Sequence, residues 1–246
     1  MPETKPYRAS VQRIRAEGGL DAALLERMAA LYLAHYDGSS EALFCRDLRE
    51  KDEVVLLYCA EELAGFSAFK CYTASWRGQP VRVVYSGDTV VARQHWGQQA
   101  LAFAWITRMG EIRRQAPETP LYWFLLVKGH RTFKYLSVFG KSFFPHWQLQ
   151  RPDLRALAEE LASARFGKDY DPASGIVRFP DSRGRLRADI AAPRAEELAK
   201  PGTRFFLRKN PGYAQGDELV CLCELVSANM KPLAARLFEH AGSVRP

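Results

Sequence analysis

The sequence of 246 residues lacks any apolar run of about 18 residues, which is the length that a membrane-spanning helix needs. Its opening segment, MPETKPYRAS, has no apolar core after its charges, so it does not predict a secretory signal. Cysteine is scarce and odd in number: four of the five cysteines lie in apolar segments, which favours reduced core thiols over disulfides. These absences predict a soluble, cytoplasmic protein.

Common motifs for metal and nucleophile chemistry are also missing. There is no HxxxH, HExxH, zinc-spaced Cys/His cluster, G-x-S-x-G elbow or P-loop, so we expect no metal site. Cys221 and Cys223 form a C-x-C pair in a predicted strand and would share one face, where packing is the favoured interpretation. His95 and His130 lie at predicted strand ends, where ligands gather in α/β folds, although ordinary loop histidines are favoured there too.

One segment has the order strand, polar turn, helix. A β-branched run covers residues 81–92, the turn 93–99 contains a single glycine, and the apolar stripe over 100–109 predicts a mostly buried helix. The first N–H groups of a helix lack partners and carry partial positive charge, so such a turn can hold a phosphate. A strand, turn and helix packed in an ordinary core is the alternative interpretation.

Amphipathic patterns and β-rich runs flank this segment. The expected elements up to residue 145 are helices over 21–36, 41–51 and 131–144, the last stopping at Pro145, and strands over 53–60, 63–75 and 121–128. A serine precedes the second helix and can serve as its N-cap. The expected elements after residue 150 are helices over 151–166, 193–200 and 230–240, and strands over 203–208 and 217–226. Residues 167–186 are rich in turn formers, with one short apolar run at Ile176 and Val177.

This order of elements resembles the GCN5-related N-acyltransferase (GNAT) superfamily over about residues 10–147. The hairpin EVVLLYCAEELAGFSAFKCY is similar to that family's second and third strands, with Gly65 and Phe66 where glycine and a hydrophobic residue are common. VVARQHWGQQAL resembles its acyl-CoA pyrophosphate loop: Arg or Gln, two residues, Gly, one residue, then Gly or Ala. Gln94 and Gly97 match the first two positions, whereas Gln99 replaces the small third residue.

The resemblance implies an α/β fold, a twisted mixed sheet flanked by helices, with an insertion before its last strand pair. We expect one domain over 1–246, with a core and donor-binding turn over 1–150, an insertion over 151–202, and closing strands and a C-terminal helix over 203–246. The implied acyl donor is a coenzyme A (acyl-CoA) thioester or an acyl-phosphopantetheine. Because glutamine gives less backbone freedom than glycine, either the pyrophosphate sits differently or the donor is not ordinary acetyl-CoA. The expected donor contacts are Val90, Val91, Gln94, Gly97, Gln98, Gln99, Arg131 and Lys134.

Acyl transfer to an amine needs a base for the amine and an acid or water for the leaving thiolate. The resemblance implies a base on the central strands, where Asp88 is the only carboxylate and a bulge near Gly87 would open the strand. The alternative is that Asp88 merely ends a short strand. Tyr135 is the acid candidate, although a second register places Phe139 at the tyrosine position, and the thiolate would then leave with solvent help.

The formal net charge of +7 implies an anionic partner or substrate. Positive residues gather in two groups, Lys128, His130, Arg131, Lys134 and Lys141, and Lys200, Arg204, Arg208, Lys209 and Lys231. The first group flanks the expected exit of the donor and would suit CoA phosphates or an acyl carrier protein, although a solvated basic face is the ordinary explanation.

The predicted function is transfer of an acyl group from a CoA or acyl-carrier-protein thioester to an amine on a small molecule or a protein. An acyl channel and an ordinary core are equally compatible with the aromatic residues, Trp76, Trp96, Tyr122, Trp123, Phe124 and Phe139. A catalytically silent ligand- or partner-binding module is the main alternative. Nucleic-acid binding is a further alternative, but the aromatics occur at core spacing and no recognised nucleic-acid-binding signature is present.

Overall fold

The computed structural model describes residues 6–15 and 19–240. The predictions for residues 1–5 of the opening segment, for 16–18 and for 241–246 lie outside these described residues. The helices are α1 (Ala22–Leu33), α2 (Glu41–Leu48), α3 (Ala100–Gln115), α4 (His130–Phe139), α5 (Pro152–Phe166), α6 (Ala188–Ala191), α7 (Ala195–Leu198), α8 (Pro201–Lys209) and α9 (Pro232–Glu239). The strands are β1 (Tyr7–Arg13), β2 (Tyr36–Asp37), β3 (Glu53–Cys59), β4 (Glu62–Trp76), β5 (Gln79–Val91), β6 (Leu121–Val127), β7 (Tyr170–Asp171), β8 (Ile176–Val177), β9 (Arg185–Leu186) and β10 (Glu218–Glu224).

Eight of these strands form one mixed sheet in the order β1-β3-β4-β5-β6-β10-β8-β7. The described pairs are antiparallel except for β5 and β6, which run parallel and are joined by the crossover helix α3. β2 and β9 form a separate two-stranded sheet. The mixed sheet flanked by helices that the sequence predicts is therefore confirmed.

Helices cover both faces of the sheet because successive strand residues are buried in alternate directions. In β3, Val54 and Leu56 pack in one cluster with α1 and α2, whereas Val55 and Leu57 pack in another with α3 and α9. α5 covers the α1 side of the sheet further along, over β5, β6 and β10. None of the helices over 6–15 and 19–240 is long and apolar enough to cross a membrane.

Two predicted positions are explained by local structure. Ser40 caps α2, since its Oγ accepts a hydrogen bond from the Leu43 N–H at 3.2 Å. Gly65 lies where β4 and β5 approach closely: a Cβ built there would be 2.8 Å from the Val90 carbonyl oxygen. A larger residue at Gly65 would push β5 away at the point where the candidate site begins.

The predicted strand over 203–208 is wrong. These residues belong to α8, which begins with Pro201 at its first turn and packs the consecutive residues Phe205 and Phe206 against Phe133 of α4. Two adjacent buried phenylalanines suit one face of a helix better than the alternating faces of a strand. β10 instead lies between β6 and β8 and pairs antiparallel with both, and β8 is the short apolar run that the sequence places inside the turn-rich region.

Other boundaries also differ from the sequence prediction. β1 was not predicted, because this edge strand is mostly exposed and carries no apolar alternation. α4 ends at Phe139, six residues before Pro145, and an extended Gly140 follows it. α3 begins at Ala100, directly after the predicted turn over 93–99, but it continues beyond the predicted stripe over 100–109 to Gln115.

Candidate functional site

The candidate site begins at a bulge in β5. Gly87 pairs with Ala68 and Thr89 pairs with Ser67, so Asp88 is the extra residue between them. Asp88 has a φ of +49°, in the left-handed region that aspartate tolerates better than most residues. The bulge predicted near Gly87 is therefore confirmed.

The bulge separates β5 from its parallel neighbour. Pairing of β5 with β6 stops at Ser86 and Leu125, whereas pairing of β5 with β4 continues to Val91. Beyond Ser86, the β6-facing edge of β5 therefore borders a gap instead of a strand. Such a gap exposes backbone N–H and C=O groups in the middle of a sheet, where a ligand can reach them.

A polar pocket of about 100 Å³ opens from this gap on the α1 and α5 side. Its charged lining comprises Asp47, Glu50, Lys51, Asp88, Lys128, Arg165, Arg183 and Glu218. Phe179, Arg183 and Leu186 form one wall, so part of the pocket comes from the segment that the sequence predicts to be an insertion. This wall is tied to the core by the pairing of β9 with β2.

The two carboxylates deepest in the polar pocket have perturbed acidity. Burial raises the pKa of Asp88, against the opposing effect of the nearby Lys51 and Lys128 ammonium groups. Burial likewise raises the pKa of Glu218, although its Oε1 lies 3.3 Å from the Lys128 Nζ. A carboxylate with a raised pKa is a better proton acceptor when ionised, which suits Asp88 to general base chemistry.

A second, apolar pocket lies on the α3 and α4 side of the same gap. It is lined by Ser67, Thr89, Leu101, Ala102, Trp105, Trp123, Tyr135 and Phe139. The Tyr135 ring stacks on Phe139 at a centroid distance of 5.9 Å, and burial raises its pKa, so the phenol is protonated at neutral pH. Thr89 lines both pockets, and its Oγ1 lies 2.8 Å from the Ser67 Oγ. The two pockets therefore meet at the residue after Asp88.

The predicted donor turn follows β5. A short 3-10 turn covers Arg93–His95, Gly97 has a φ of +95°, and Gln99 is the N-cap of α3. The Gly97, Gln99 and Ala100 N–H groups have no hydrogen-bond acceptor among the described residues. Gln99 has a φ of −114°, which any residue adopts, so the glutamine that departs from the family pattern causes no backbone strain here.

The other predicted donor contacts differ in their availability. Gln98 caps α3 through its Oε1, which accepts from the Leu101 N–H at 3.3 Å. Val90 is buried, and the Val91 carbonyl accepts from the Trp96 indole N–H at 2.8 Å. Gln94 is exposed in the turn. None of these side chains accepts a hydrogen bond from the Gly97, Gln99 or Ala100 N–H groups.

The predicted basic group around α4 does not form one surface. Lys128 lies in the polar pocket, and Lys141 donates from its Nζ to the Ala228 carbonyl at 2.9 Å. Arg131 lies 4.6 Å from the Trp96 ring and donates to Glu197 at 3.0 Å, so its charge is already matched. Lys134 is exposed, with no ion pair in the described part of the chain.

Several site residues were missed by sequence reasoning. Lys51, Glu218, Thr89 and Ser67 have no motif and become neighbours only through the sheet. Within the described ranges, no group of three or more His, Cys, Asp or Glu side chains could hold a metal ion.

No protein-family model matches this sequence, and no curated protein matches it. Solved structures do resemble it. A conserved protein of unknown function from Enterococcus faecalis, a probable N-acyltransferase, aligns over 98% of this chain at 9% identity with a TM-score of 0.42, and the chain spans 64% of that protein. A GNAT family N-acetyltransferase from Escherichia coli in complex with CoA aligns over 55% of this chain and 69% of its own, at 17% identity and a TM-score of 0.38. A GCN5-related N-acetyltransferase from Kribbella flavida aligns over 66% of this chain and 43% of its own, at 17% identity and a TM-score of 0.41.

Proposed function

We propose that the protein is an N-acyltransferase that moves an acyl group from a thioester to an amine. The observation that carries this proposal is the meeting of two unlike pockets at the β5 bulge, with Thr89 in both. A carboxylate-bearing polar pocket suits a charged amine, and a narrow aromatic pocket suits the pantetheine and acyl parts of a thioester. The gap between β5 and β6 would let the two reactants meet.

The donor is proposed to bind as acyl-CoA, with its pyrophosphate on the Gly97, Gln99 and Ala100 N–H groups. These groups lie at the start of α3, where the helix dipole favours an anion. The thioester would then enter the gap along the free edge of β5, where backbone N–H groups can polarise its carbonyl. An acyl-phosphopantetheine on a carrier protein offers the same thioester, and exposed Lys134 would contact the acidic surface of the carrier.

The chemistry needs one proton acceptor and one proton donor. Asp88 would accept a proton from the acceptor ammonium, and the free amine would attack the thioester carbonyl carbon. The attack forms the C–N bond of a tetrahedral intermediate, and collapse of this intermediate breaks the C–S bond. Tyr135 would protonate the leaving thiolate and would recover its proton from the amide nitrogen through solvent, so the net products are an amide, a thiol and one proton.

Whether Tyr135 or Phe139 stands at the family's tyrosine position, an aromatic side chain from α4 lies in the apolar pocket, because both residues line it. Tyr135 alone of the two carries a hydroxyl group, so it is the proposed acid. Within the polar pocket, Tyr32 and Tyr36 are poor acids, because burial raises their pKa values strongly.

The test is thiol release from acyl-CoA and acyl-carrier thioesters across a panel of amines under mildly alkaline conditions. We expect turnover that falls in Asp88→Asn and in Tyr135→Phe. A background rate with every donor and amine would favour the silent module, and unchanged turnover in the double variant would remove both residues from the reaction. A cytoplasmic location stays a prediction, in keeping with the five unpaired cysteines.

A further inference from the structure

Two opposite charges in the polar pocket, Lys51 and Asp88, act on each other through space but form no direct ion pair. Lys128 pairs with Glu218 at 3.3 Å, and Arg165 pairs with Glu50 at 3.6 Å. Lys51 lines the same pocket, as does Asp88, but neither side chain forms a hydrogen bond or an ion pair with any residue that the structure describes.

Lys51 is the more unusual of the two, because it is only 5% exposed. Its Nζ lies 4.7 Å from the centroid of the Tyr85 ring and 3.5 Å from where a Cβ on Gly87 would stand. A buried ammonium group without an anion in direct contact costs stability: burial lowers the pKa of Lys51, and the carboxylates of Asp88, Asp47 and Glu50 offset this only in part. A buried ammonium group in this position, beside a pocket, indicates that a bound ligand supplies an anion in direct contact with Lys51.

The position of Lys51 relates it to the reaction. Gly87, which Lys51 approaches, immediately precedes Asp88 on the β5 bulge. An anion on Lys51 would thus lie beside the bulge that carries the proposed base. A small molecule that carries an ammonium and an anionic group close together matches both charges at once.

We propose that the acceptor is a small zwitterion of the amino-acid type, whose carboxylate binds Lys51 while its amine faces Asp88. This inference rests on the proposed function and adds the class of acceptor. A carboxylate is favoured over a phosphate because Lys51 is the one buried cation among the described pocket residues without a direct anionic contact, and a phosphate dianion would call for more. The remaining unpaired cation of the pocket, Arg183, is exposed, with its guanidinium 4.0 Å from the Phe179 ring.

The experiment compares free amino acids with their carboxamides as acceptors, using thiol release from acyl-CoA. The carboxamide keeps the side chain and the amine but removes the negative charge. Its ammonium group is more acidic, so intrinsic reactivity favours the carboxamide, and a preference for the acid must come from binding. We expect kcat/KM for the preferred acid to exceed that of its carboxamide by about 10- to 100-fold, the value of a charge-assisted contact.

Lys51→Met is the decisive variant, with exposed Lys209→Met as its matched control. Lys51→Met should lower the ratio of kcat/KM for the acid to kcat/KM for the carboxamide by the same factor, because any effect of Lys51 on the pKa of Asp88 is shared by both acceptors, whereas Lys209→Met should leave the ratio unchanged. Because the substitution removes a buried charge, we expect no loss of thermal stability, and Lys51→Gln provides a second variant.

Calorimetric titration of the acids without a donor separates this inference from the proposed function. Binding that Lys51→Met weakens, together with no turnover of any amine, would support the carboxylate site and refute acyl transfer. Equal kcat/KM for acids and carboxamides would overturn the zwitterion. An equal loss for both in Lys51→Met would instead make Lys51 a participant in the reaction, and the absence of both binding and turnover for every acid would overturn the inference.

Discussion

Replacing Gly97 by valine tests the role of the donor turn separately from that of the rest of the fold. Gly97 has a φ of +95°, and a Cβ built there meets no atom within 4 Å. The substitution therefore adds no clash, but it forces a β-branched residue into a left-handed conformation at a cost of about 1–2 kcal/mol. For a chain of this size, each kcal/mol lowers the melting temperature by about 2–4 °C.

Gly78 is a matched control for this backbone cost. It has a φ of +77°, a Cβ there also meets nothing within 4 Å, and it lies in the turn between β4 and β5. Gly78→Val should therefore lower the melting temperature by a similar amount. Gly78 lies at the opposite end of the β4–β5 hairpin from Val91, after which the donor turn begins, so we expect no effect on the donor.

The two variants should differ in donor affinity. A valine at Gly97 would crowd the phosphate path and disturb N–H groups that would donate to a charged oxygen, each worth about 1.5–3 kcal/mol. We expect the dissociation constant for CoA, measured by calorimetry, to rise about 10- to 100-fold in Gly97→Val and less than about twofold in Gly78→Val. Equal affinity in wild type and Gly97→Val would remove the turn from donor binding, and equal losses in both variants would assign the effect to stability.

Three further variants test the site and the fold. Asp88→Asn should lower thiol release by about 10²- to 10⁴-fold. It should also raise the melting temperature at neutral pH. The folded protein holds the Asp88 proton more tightly than the unfolded chain does, so wild-type stability falls as the pH rises from the ordinary aspartate pKa through the raised pKa of Asp88. A lower melting temperature of Asp88→Asn at neutral pH would contradict this. Tyr135→Phe should slow thiol release by about 10²-fold or more with thioesters of alkyl thiols and much less with an activated aryl thioester, and an equal loss with both would exclude the acid role. Gly110→Ala should lower the free energy of unfolding by about 1–3 kcal/mol or more, because its Cβ would stand 1.9 Å from the Phe238 carbonyl oxygen of α9, and an unchanged denaturant midpoint would show that α9 is not docked there.

The strands of the sheet could be predicted wherever their burial produces a recognisable pattern of apolar residues in the sequence. β6 is a continuous apolar run because both of its faces are covered, and β3 and β4 are β-rich for the same reason. β1 has no such pattern, because six of its seven residues are exposed and most of them are polar. In α8, adjacent phenylalanines and flanking basic residues are compatible with a strand or a helix, and only the packing on α4 decides between them.

Some residues of the candidate site could likewise be predicted from the sequence, and others could not. Asp88 and Gly97 could be found because each depends on local backbone chemistry, a bulge and a glycine turn, that the sequence displays. Lys51 could not, because it follows α2 as an ordinary charged residue at a helix end. Its burial arises only when β5 bulges beside it, and that contact joins residues 36 positions apart in the sequence.

The basic side chains around the donor turn already have anionic partners, so the backbone N–H groups are more available to a phosphate. The Arg93 guanidinium pairs with Asp189, and Arg131 donates to Glu197 and to the Ile190 carbonyl, so residues 188–197 already match both charges. A phosphate placed at the turn would have to compete with these carboxylates for either guanidinium. The Gly97, Gln99 and Ala100 N–H groups have no such competitor, because none of them donates a hydrogen bond to a described residue. Donor affinity should therefore depend more on the conformation of Gly97 than on the charge of either arginine.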